Sequence, residues 1–251
     1  MSDNALPFNG RVALVTGASG GIGGAIARGL AAAGADLFLT HGSHVQDAQQ
    51  VAESARRMGR RVALSPGDLG DSEVPAALVD AATSALGRVD VLVANAGAGS
   101  KTAWPEVTLQ QWNETFAVNT TAPFLMAQRA MPGMVERGFG RILFVSSIAG
   151  LNGGVIGPHY AASKAALHGL THFLAGQVAG NGITVNALAP ALIGNTRILP
   201  TDSTGDGSLP MPIPVGRLGE VDEVADMAIT MLRNAYLTNK VVTIDGGLLP
   251  R

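Results

Sequence analysis

The chain has 251 residues, 47% of them hydrophobic and 14% charged, so it can bury a sizeable core in one large α/β domain. Its 33 glycines are spread along the sequence, which excludes a collagen-like or disordered chain and suits the tight turns between parallel strands. The net charge of −2 gives no electrostatic footprint for nucleic acid or an anionic membrane, and the lack of cysteine excludes disulfides, thiolate metal sites and a cysteine nucleophile.

The amino terminus, from Met1 to Asn4, lacks the basic-then-apolar order of a signal peptide. No apolar run reaches the length that spans a membrane. We therefore expect a cytoplasmic protein without a metal site, without a membrane or nucleic-acid partner, and with a small molecule as its ligand.

The first predicted strand, residues 12–15, runs into a glycine-rich turn that is followed by an alanine-rich helix predicted from Ala25 to Ala33. This order is typical of a dinucleotide fold, because glycines let the backbone approach a pyrophosphate and the helix amino terminus offers unpaired N–H groups. A simple turn would explain one or two glycines, but it explains Gly17, Gly21 and Gly23 together poorly. The residues predicted to hold the phosphates are Gly17, Ser19, Gly20, Gly21, Ile22 and Gly23.

The second predicted strand, Asp36 to Thr40, ends where a dinucleotide fold distinguishes NAD from NADP. An acid at this point would bind the ribose 2′-hydroxyl and repel a 2′-phosphate. The sequence has His41, Gly42, Ser43 and His44 there and no acid, which favours NADP(H) over NAD(H), with His41 and Ser43 as candidate contacts. The alternative, that the histidines are solvated loop residues, stays open.

Helices and strands continue to alternate along the chain. Helices predicted over 45–58 and 72–86 precede strands over 61–64 and 89–93. Successive βα units predict a parallel sheet with right-handed crossovers. We therefore expect residues 1–251 to form a single Rossmann domain of the α/β class, with a doubly wound parallel sheet of about seven strands.

The turns after the third and fourth strands carry further cofactor candidates. Asp68 and Leu69 follow the third strand, where the carboxylate is placed to contact an adenine amino group. Asn95, Ala96 and Gly97 follow the fourth, where Asn95 also has a structural explanation, the satisfaction of backbone groups at the sheet edge.

A long helical segment is predicted from Thr108 to Arg137, with Pro123 and Pro132 expected to kink or break it. Asn119 falls in the middle, where asparagine is unfavourable. We expect its side chain to hold a water and to open the helical hydrogen bonding.

The strand predicted over 141–146 leads to Ser147, whose hydroxyl is expected to emerge at the carboxyl end of the sheet. Tyr160 and Lys164 follow on one face of an alanine-rich helix. A tyrosine phenol has a pKa of about 10, and a fixed ammonium one turn away is expected to lower that pKa. Taken alone, the spacing of Tyr160 and Lys164 also fits two polar residues on a solvent-exposed helix face. The other motifs in the sequence therefore decide between the two interpretations.

After a strand predicted over 183–188, residues 190–216 are rich in glycine and proline, and we interpret them as a mobile substrate loop. A helix over 221–233 and a strand over 241–244 close the chain. The substrate pocket is expected to be mostly apolar and to suit a medium-sized, uncharged ketone. Its predicted lining is Ser147, Ile148, Asn152, Val155, His159 and Leu192.

With these motifs in order, the sequence resembles the short-chain dehydrogenase/reductase family over nearly its whole length. The resemblance implies a catalytic tetrad of Asn119, Ser147, Tyr160 and Lys164. Tyr160 would shuttle a proton to or from the substrate oxygen that Ser147 positions, Lys164 would bind the nicotinamide ribose, and Asn119 would hold a water. It further implies a homotetramer formed through the two helices that follow the fourth and fifth strands. The carboxamide of the nicotinamide would be held near Pro190, Ile193, Asn195 and Thr196.

Within the family the chain is most similar to the ketoacyl-carrier-protein reductases, by the motifs at 185–187, 216–217 and 245–247. It departs from them at Gly20, where they have a basic residue, and at Pro132 and Gly176, where they have carrier-docking arginines. The sequence therefore predicts an NADP(H)-dependent enzyme that interconverts a ketone and a secondary alcohol. The alternatives are a ketoacyl-carrier-protein reductase and, more remotely, a nucleotide-sensing regulator without chemistry.

Overall fold

The computed structural model describes residues 6–196 and 212–250. Within them, seven parallel strands form one sheet in the order β3-β2-β1-β4-β5-β6-β7, which confirms the predicted doubly wound fold. The strand order reverses between β1 and β4, and such a switch point opens a crevice at the carboxyl ends of the strands. The strands are β1 Val12–Val15, β2 Asp36–His41, β3 Val62–Pro66, β4 Val91–Ala94, β5 Gly140–Val145, β6 Ile183–Pro190 and β7 Lys240–Ile244.

Helices cover both faces of the sheet because residues along each strand alternate between two cores. Ala13 and Val15 join a core beneath the first, second and last helices, whereas Val12 and Leu14 join a core beneath the third, fifth and seventh. The helices are α1 Gly21–Ala32, α2 Val45–Arg57, α3 Val74–Leu86, α4 Leu109–Phe116, α5 Ala122–Glu136, α6 Ala149–Asn152, α7 Pro158–Val178 and α8 Val221–Arg233.

Two helices differ from their predicted bounds. Helix α1 begins at Gly21, four residues before the predicted start, because the glycine turn itself supplies the first helical turn. The single helix predicted from Thr108 to Arg137 is α4 and α5 joined by a π-helical segment, Ala117–Thr121, which contains Asn119. The predicted opening of the helical hydrogen bonding at Asn119 is therefore confirmed, while Pro132 lies inside α5 without ending it.

Two further observations concern membrane spans and metal ions. None of the helices in the described ranges is both long and apolar enough to cross a membrane. The same ranges contain no group of three His, Asp or Glu side chains arranged to hold a metal ion. The centre of the predicted substrate loop, residues 197–211, lies outside the described residues.

Candidate active site

A cavity of about 560 Å³ opens at the carboxyl ends of the central strands, at the switch point between β1 and β4. It brings together most of the residues that the sequence predicts for cofactor and substrate. Those that line it are Gly17, Ser19, Gly20, Gly21, Ile22, Gly23, Ser43, Asn95, Ala96, Gly97, Ser147, Ile148, Asn152, Val155, Tyr160, Lys164, Pro190, Leu192, Ile193 and Thr196.

The glycine turn is packed too closely for side chains. A Cβ on Gly17, whose φ is 66°, would lie 2.9 Å from Asn95 Nδ2, and a Cβ on Gly23 would collide with the same amide and with the Gly17 carbonyl. Asn95 in turn donates from Nδ2 to the Thr16 carbonyl at 2.9 Å. Asn95 therefore fastens the turn after β4 to the glycine turn, as its structural explanation requires.

The start of α1 fits an anionic group. Gly20 is the N-cap and offers no side-chain cap, and the first helical turn contains no acid. Exposed N–H groups and the partial positive charge of a helix amino terminus favour phosphate. The backbone there can approach a pyrophosphate closely, so the residues present fit a dinucleotide.

Beyond β2 the cavity is lined by His44 and not by His41. His41 is buried, its Nδ1 lies 2.7 Å from the Gly42 carbonyl oxygen, and it is not among the lining residues. His44 lines the cavity instead, beside Ser43, with 3.2 Å between the Ser43 hydroxyl and His44 Nδ1. Strand β2 continues to His41, so this side chain belongs to the sheet and the following loop carries the cavity contacts.

Asp68 and Leu69 do not line the cavity either. The Asp68 carboxylate accepts a hydrogen bond from the Gly70 amide at 2.9 Å, and Leu69 is buried in the core. Their predicted contact with adenine stays a prediction.

Tyr160, Ser147 and Lys164 meet at the carboxyl end of β5. Tyr160 is 7% exposed, and burial raises the pKa of its phenol, while a hydrogen bond with Ser147 acts in the opposite direction. Lys164 is 3% exposed, and burial lowers its pKa to about 8. Its Nζ donates to the Val145 carbonyl at 2.8 Å and lies 5.9 Å from the centroid of the Tyr160 ring.

The expected lowering of the Tyr160 pKa by Lys164 is therefore wrong for this structure, in which that pKa is raised. The spacing does place both side chains at one cavity, as predicted. The lysine ammonium, however, bonds to the end of β5, and burial of the phenol outweighs the hydrogen bond from Ser147.

Asn119 lies behind the cavity and is fully buried. Its Oδ1 accepts from the Ala98 amide at 2.7 Å, and its Nδ2 donates to the Ala98 carbonyl at 2.8 Å and to the Ser163 hydroxyl at 3.0 Å. The side chain therefore joins the loop after β4 to α7, one residue before Lys164. The water expected at Asn119 stays a prediction.

His159 does not line the pocket as predicted. It is 0% exposed, and neither ring nitrogen has a hydrogen-bonding partner among the described residues. Neighbouring positions on a helix point about 100° apart, so Tyr160 faces the cavity while His159 faces away from it. Its ring packs against Gly157, where a Cβ would lie 2.8 Å from the imidazole Cε1.

Gly99 and the backbone of Asn195 also shape the site, in ways that the sequence motifs do not predict. A Cβ on Gly99 would lie 2.6 Å from Cδ2 of Tyr160, so this glycine makes room for the phenol ring. No motif marks Gly99, because its contact with Tyr160 joins residues that are far apart in the sequence. Asn195 has a φ of 57°, does not line the cavity, and brings its carbonyl oxygen to within 2.6 Å of where a Cβ on Gly21 would be.

Fold and site together define a Rossmann-type nucleotide-binding protein with a tyrosine, a serine and a lysine in its cavity. The sequence profile described as short chain dehydrogenase matches residues 11–205. The chain therefore belongs to the short-chain dehydrogenase family and is an NAD(P)-dependent enzyme of the kind that acts on CH–OH groups.

Two curated relatives match over nearly their full length. The chain is 34% identical to the 2-dehydro-3-deoxy-D-gluconate 5-dehydrogenase of Bacillus subtilis (strain 168), over 99% of this chain and 98% of that protein. It is 35% identical to the 3-oxoacyl-(acyl-carrier-protein) reductase FabG of Escherichia coli (strain K12), over 96% of this chain and 98% of that protein.

Solved structures agree with this assignment. A blue fluorescent protein from a metagenomic library, in complex with NADPH, superposes with a TM-score of 0.90 at 36% identity, over 97% of this chain and 100% of that chain. A short chain dehydrogenase from Burkholderia cenocepacia J2315, in complex with NADP, superposes with a TM-score of 0.87 at 33% identity, over 96% of this chain and 98% of that chain.

Proposed function

We propose that this enzyme interconverts a ketone and a secondary alcohol with NADP(H), using Tyr160 as the general acid and base. The observation that carries the proposal is the placement of Tyr160, Ser147 and the buried Lys164 together in one cavity. When bound, the nicotinamide supplies or accepts the hydride. The glycine turn would hold its pyrophosphate, Lys164 its ribose, and the segment from Pro190 to Thr196 its carboxamide.

Tyr160, Ser147 and Lys164 would have different roles in the reaction at the substrate oxygen. Burial keeps the Tyr160 phenol protonated near neutral pH, so its O–H is available to donate a proton to a developing alkoxide. The Ser147 hydroxyl supplies a second hydrogen bond to that oxygen. Lys164, with a pKa of about 8, is close enough to neutrality to exchange a proton with its surroundings during a reaction cycle.

Replacing Tyr160 with Phe tests this assignment. We expect NADPH binding to change less than about twofold and kcat to fall by about 10³-fold or more, because removal of an acid/base group costs about 10²–10⁴. Fluorescence titration and steady-state rates on a carbonyl panel measure the two quantities. A variant that still turns over at the wild-type rate would remove Tyr160 from the chemistry. Wild-type protein that titrates with NADPH but reduces no carbonyl would favour the nucleotide-sensing regulator.

The preference for NADP(H) is supported by the composition of the cavity wall beyond β2. Ser43 and His44 line it, and the described lining residues include no carboxylate that would repel a 2′-phosphate. We expect Ser43→Asp to weaken NADPH binding by about 10-fold or more and to leave NADH binding equal or tighter, because an acid there selects for the 2′-hydroxyl. Fluorescence titrations with NADPH and NADH measure the two affinities. An unchanged ratio of the NADPH affinity to the NADH affinity would contradict the assignment.

An uncharged ketone is supported by the other end of the cavity. Ile148, Val155 and Leu192 give it an apolar wall, and Lys164 is the one Lys or Arg among the described lining residues. The name of the Bacillus relative describes a carboxylate substrate, which would need a cation here besides Lys164, the residue assigned to the cofactor ribose. Rates on a neutral ketone, on 2-dehydro-3-deoxy-D-gluconate, and on a carrier-linked ketoester beside its short thioester separate the three substrate classes. Faster turnover of the carboxylate or of the carrier-linked ester would replace this substrate assignment.

We also propose that residues 1–251 form a single domain, which acts in the cytoplasm as a homotetramer. Phe124 on α5 and Phe173 on α7 are exposed apolar side chains on the two helices that follow β4 and β5, which supports association through them. Light scattering should give four times the 25.5 kDa chain mass, and Phe173→Glu should lower it. A monomer in dilute solution would contradict the tetramer.

A further inference from the structure

Helix α7 is joined to the end of β5 by a side chain that the proposed chemistry does not use. Ser146 follows β5, is 4% exposed and lines the cavity next to Ser147. Its hydroxyl donates to the Lys164 carbonyl at 3.0 Å and lies 2.8 Å from His168 Nε2.

The proton count fixes the direction of the second contact. A serine hydroxyl has one proton, and Ser146 gives that proton to the Lys164 carbonyl. Its oxygen must then accept from His168, so Nε2 of the imidazole carries a hydrogen. The order of donation is therefore His168 to Ser146 to Lys164.

The packing around His168 leaves the ring little freedom. Gly150 in α6 lies against it, and a Cβ at Gly150 would be 3.0 Å from the imidazole Cε1 and 2.8 Å from the Ala165 amide nitrogen. Only glycine lets α6 approach this turn of α7 so closely. The imidazole therefore sits between α6 and β5, one helical turn beyond Lys164.

Three consecutive residues at the end of β5 thus hold the reactive turn of α7. The Val145 carbonyl accepts from Lys164 Nζ, Ser146 donates to the Lys164 carbonyl, and Ser147 lines the same cavity as Tyr160. We propose that His168 is a positioning residue, which acts through Ser146 to set Lys164 and Tyr160 relative to Ser147. This inference rests on the proposed function for its kinetic test.

A purely structural role would lower thermal stability and leave kcat per folded molecule unchanged. A positioning role would lower kcat while the KM for the cofactor and the folded fraction change little. The chain supplies a matched control in His172, one turn further along α7, whose Nδ1 lies 2.6 Å from Asn239 Oδ1 in an exposed contact away from the cavity.

The experiment compares His168→Ala, His168→Gln, Ser146→Ala and the control His172→Ala. We expect His168→Ala and Ser146→Ala to lower kcat by about 10-fold or more with the KM for NADPH within about twofold, because small displacements of catalytic groups cost up to about 10²-fold. His168→Gln keeps an N–H donor near the Nε2 position and should recover most of the loss. His172→Ala should match wild type. Unchanged kcat in His168→Ala, or a loss that Gln does not recover, would overturn the proposal.

A second measurement does not depend on turnover. The ¹³Cε resonance of Lys164, followed against pH, reports the pKa of its ammonium. We expect that pKa to rise from about 8 toward its ordinary value in His168→Ala, as the turn loosens and water reaches the ammonium, and to return in His168→Gln. Equal pKa values of Lys164 in His168→Ala and His168→Gln would overturn the positioning role. If wild-type protein turns over no carbonyl, the proposed function fails and this titration still decides about His168.

Discussion

At the scale of single residues, Lys164 combines a charge with nearly complete burial. The lowering of its pKa from 10.5 to about 8 corresponds to about 3 kcal/mol of unfavourable burial of the charged form. The Val145 carbonyl offsets part of this cost by accepting a hydrogen bond from Nζ. The protein therefore keeps a destabilising group in the cavity, where the proposed proton transfer would use it.

The cost of burying Lys164 predicts a pH dependence of stability. Between pH 8 and 10.5 the unfolded chain still holds the proton that folded Lys164 has lost, so the contribution of Lys164 to the unfolding free energy rises with pH there. The raised pKa of Tyr160 acts in the opposite direction, but only above its ordinary value of 10.0, where the unfolded chain begins to lose the phenolic proton. Of these two groups, only Lys164 therefore changes the unfolding free energy between pH 8 and 10.

We expect Lys164→Met to be more stable than wild type by about 1–3 kcal/mol at pH 7, since it removes the buried charge and loses one hydrogen bond. The difference should shrink steadily from pH 8 to pH 10. Guanidinium denaturation at each pH measures it, with the exposed Lys240→Met as the control. A difference that stays constant over this range would show that Lys164 does not titrate as the structure indicates.

Gly99 makes a second prediction at this scale. A methyl group there would overlap Cδ2 of Tyr160, so Gly99→Ala must displace the phenol ring. We expect kcat to fall by about 10²-fold while NADPH binding is kept, because the ring moves and the glycine turn does not. Gly176→Ala in α7 is the control, since a Cβ there meets nothing within 4 Å. Wild-type kcat in Gly99→Ala would show that the ring position tolerates the change.

These residues also show where sequence reasoning stops at this scale. Tyr160 and Ser147 were predicted from chemistry and spacing, and the structure places them at one cavity. The partner of the Lys164 ammonium, the Val145 carbonyl, was not predicted, because no residue type identifies a backbone carbonyl that accepts a hydrogen bond. His159 and His41 were misplaced for a related reason, since the direction of a side chain depends on the exact phase of its helix or strand.

At the scale of elements, the junction between α4 and α5 connects two parts of the site. The π-helical segment turns Asn119 toward Ala98, whose N–H and C=O both bond to the amide side chain. The same amide reaches the Ser163 hydroxyl, which donates to the Tyr160 carbonyl at 2.8 Å. Propensity alone indicated a weak point in this helix, and only the structure shows which groups the opening serves.

Replacing Asn119 with Leu should therefore cost stability. The change removes one bond from each of the two half-buried Ala98 backbone groups and from the buried Ser163 hydroxyl, and an unsatisfied group that is fully buried costs about 1–3 kcal/mol. We expect the unfolding free energy to fall by about 3 kcal/mol, measured by urea denaturation. Asn113→Ala, at an exposed position in α4, should change it by less than about 0.5 kcal/mol. Equal effects of the two variants would contradict the role assigned to Asn119.

At the scale of the whole molecule, the two edges of the sheet are built differently. The carboxyl ends of the strands carry the cavity, whereas charged side chains meet at the amino ends. Asp90, just before β4, is 0% exposed and accepts from the Val12 amide at 3.1 Å. The doubly wound parallel sheet could be predicted from the repeated βα units, but this cluster could not, because its members are far apart in sequence and carry no motif.

Three arginines surround the Asp90 carboxylate. Its Oδ1 lies 2.6 Å from Arg88 Nη2, 3.4 Å from Arg137 Nε and 3.8 Å from Arg11 Nη1. Arg11 also stacks on Phe139, together with Arg141, whose pKa is lowered by burial and by the charge of Arg11. Asp90 is therefore the carboxylate that offsets several partly buried cations at the starts of β1, β4 and β5.

Asp90→Asn should destabilise the whole fold and leave the chemistry alone. Removing one partner of a buried ion pair costs about 3–5 kcal/mol, because the remaining charges are left uncompensated. We expect a loss of that size in guanidinium denaturation, with kcat within about twofold of wild type at a temperature where the variant is folded, since the cavity lies at the opposite edge of the sheet. Asp80→Asn is the matched control, because Asp80 pairs with Arg129 at 2.7 Å on the surface, where both side chains are about half exposed and such a pair contributes about 0–1 kcal/mol. A fall in the kcat of Asp90→Asn without a fall in its stability would mean that the amino ends of the strands influence the active site. Equal stability losses in Asp90→Asn and Asp80→Asn would mean that burial does not set the strength of the Asp90 cluster.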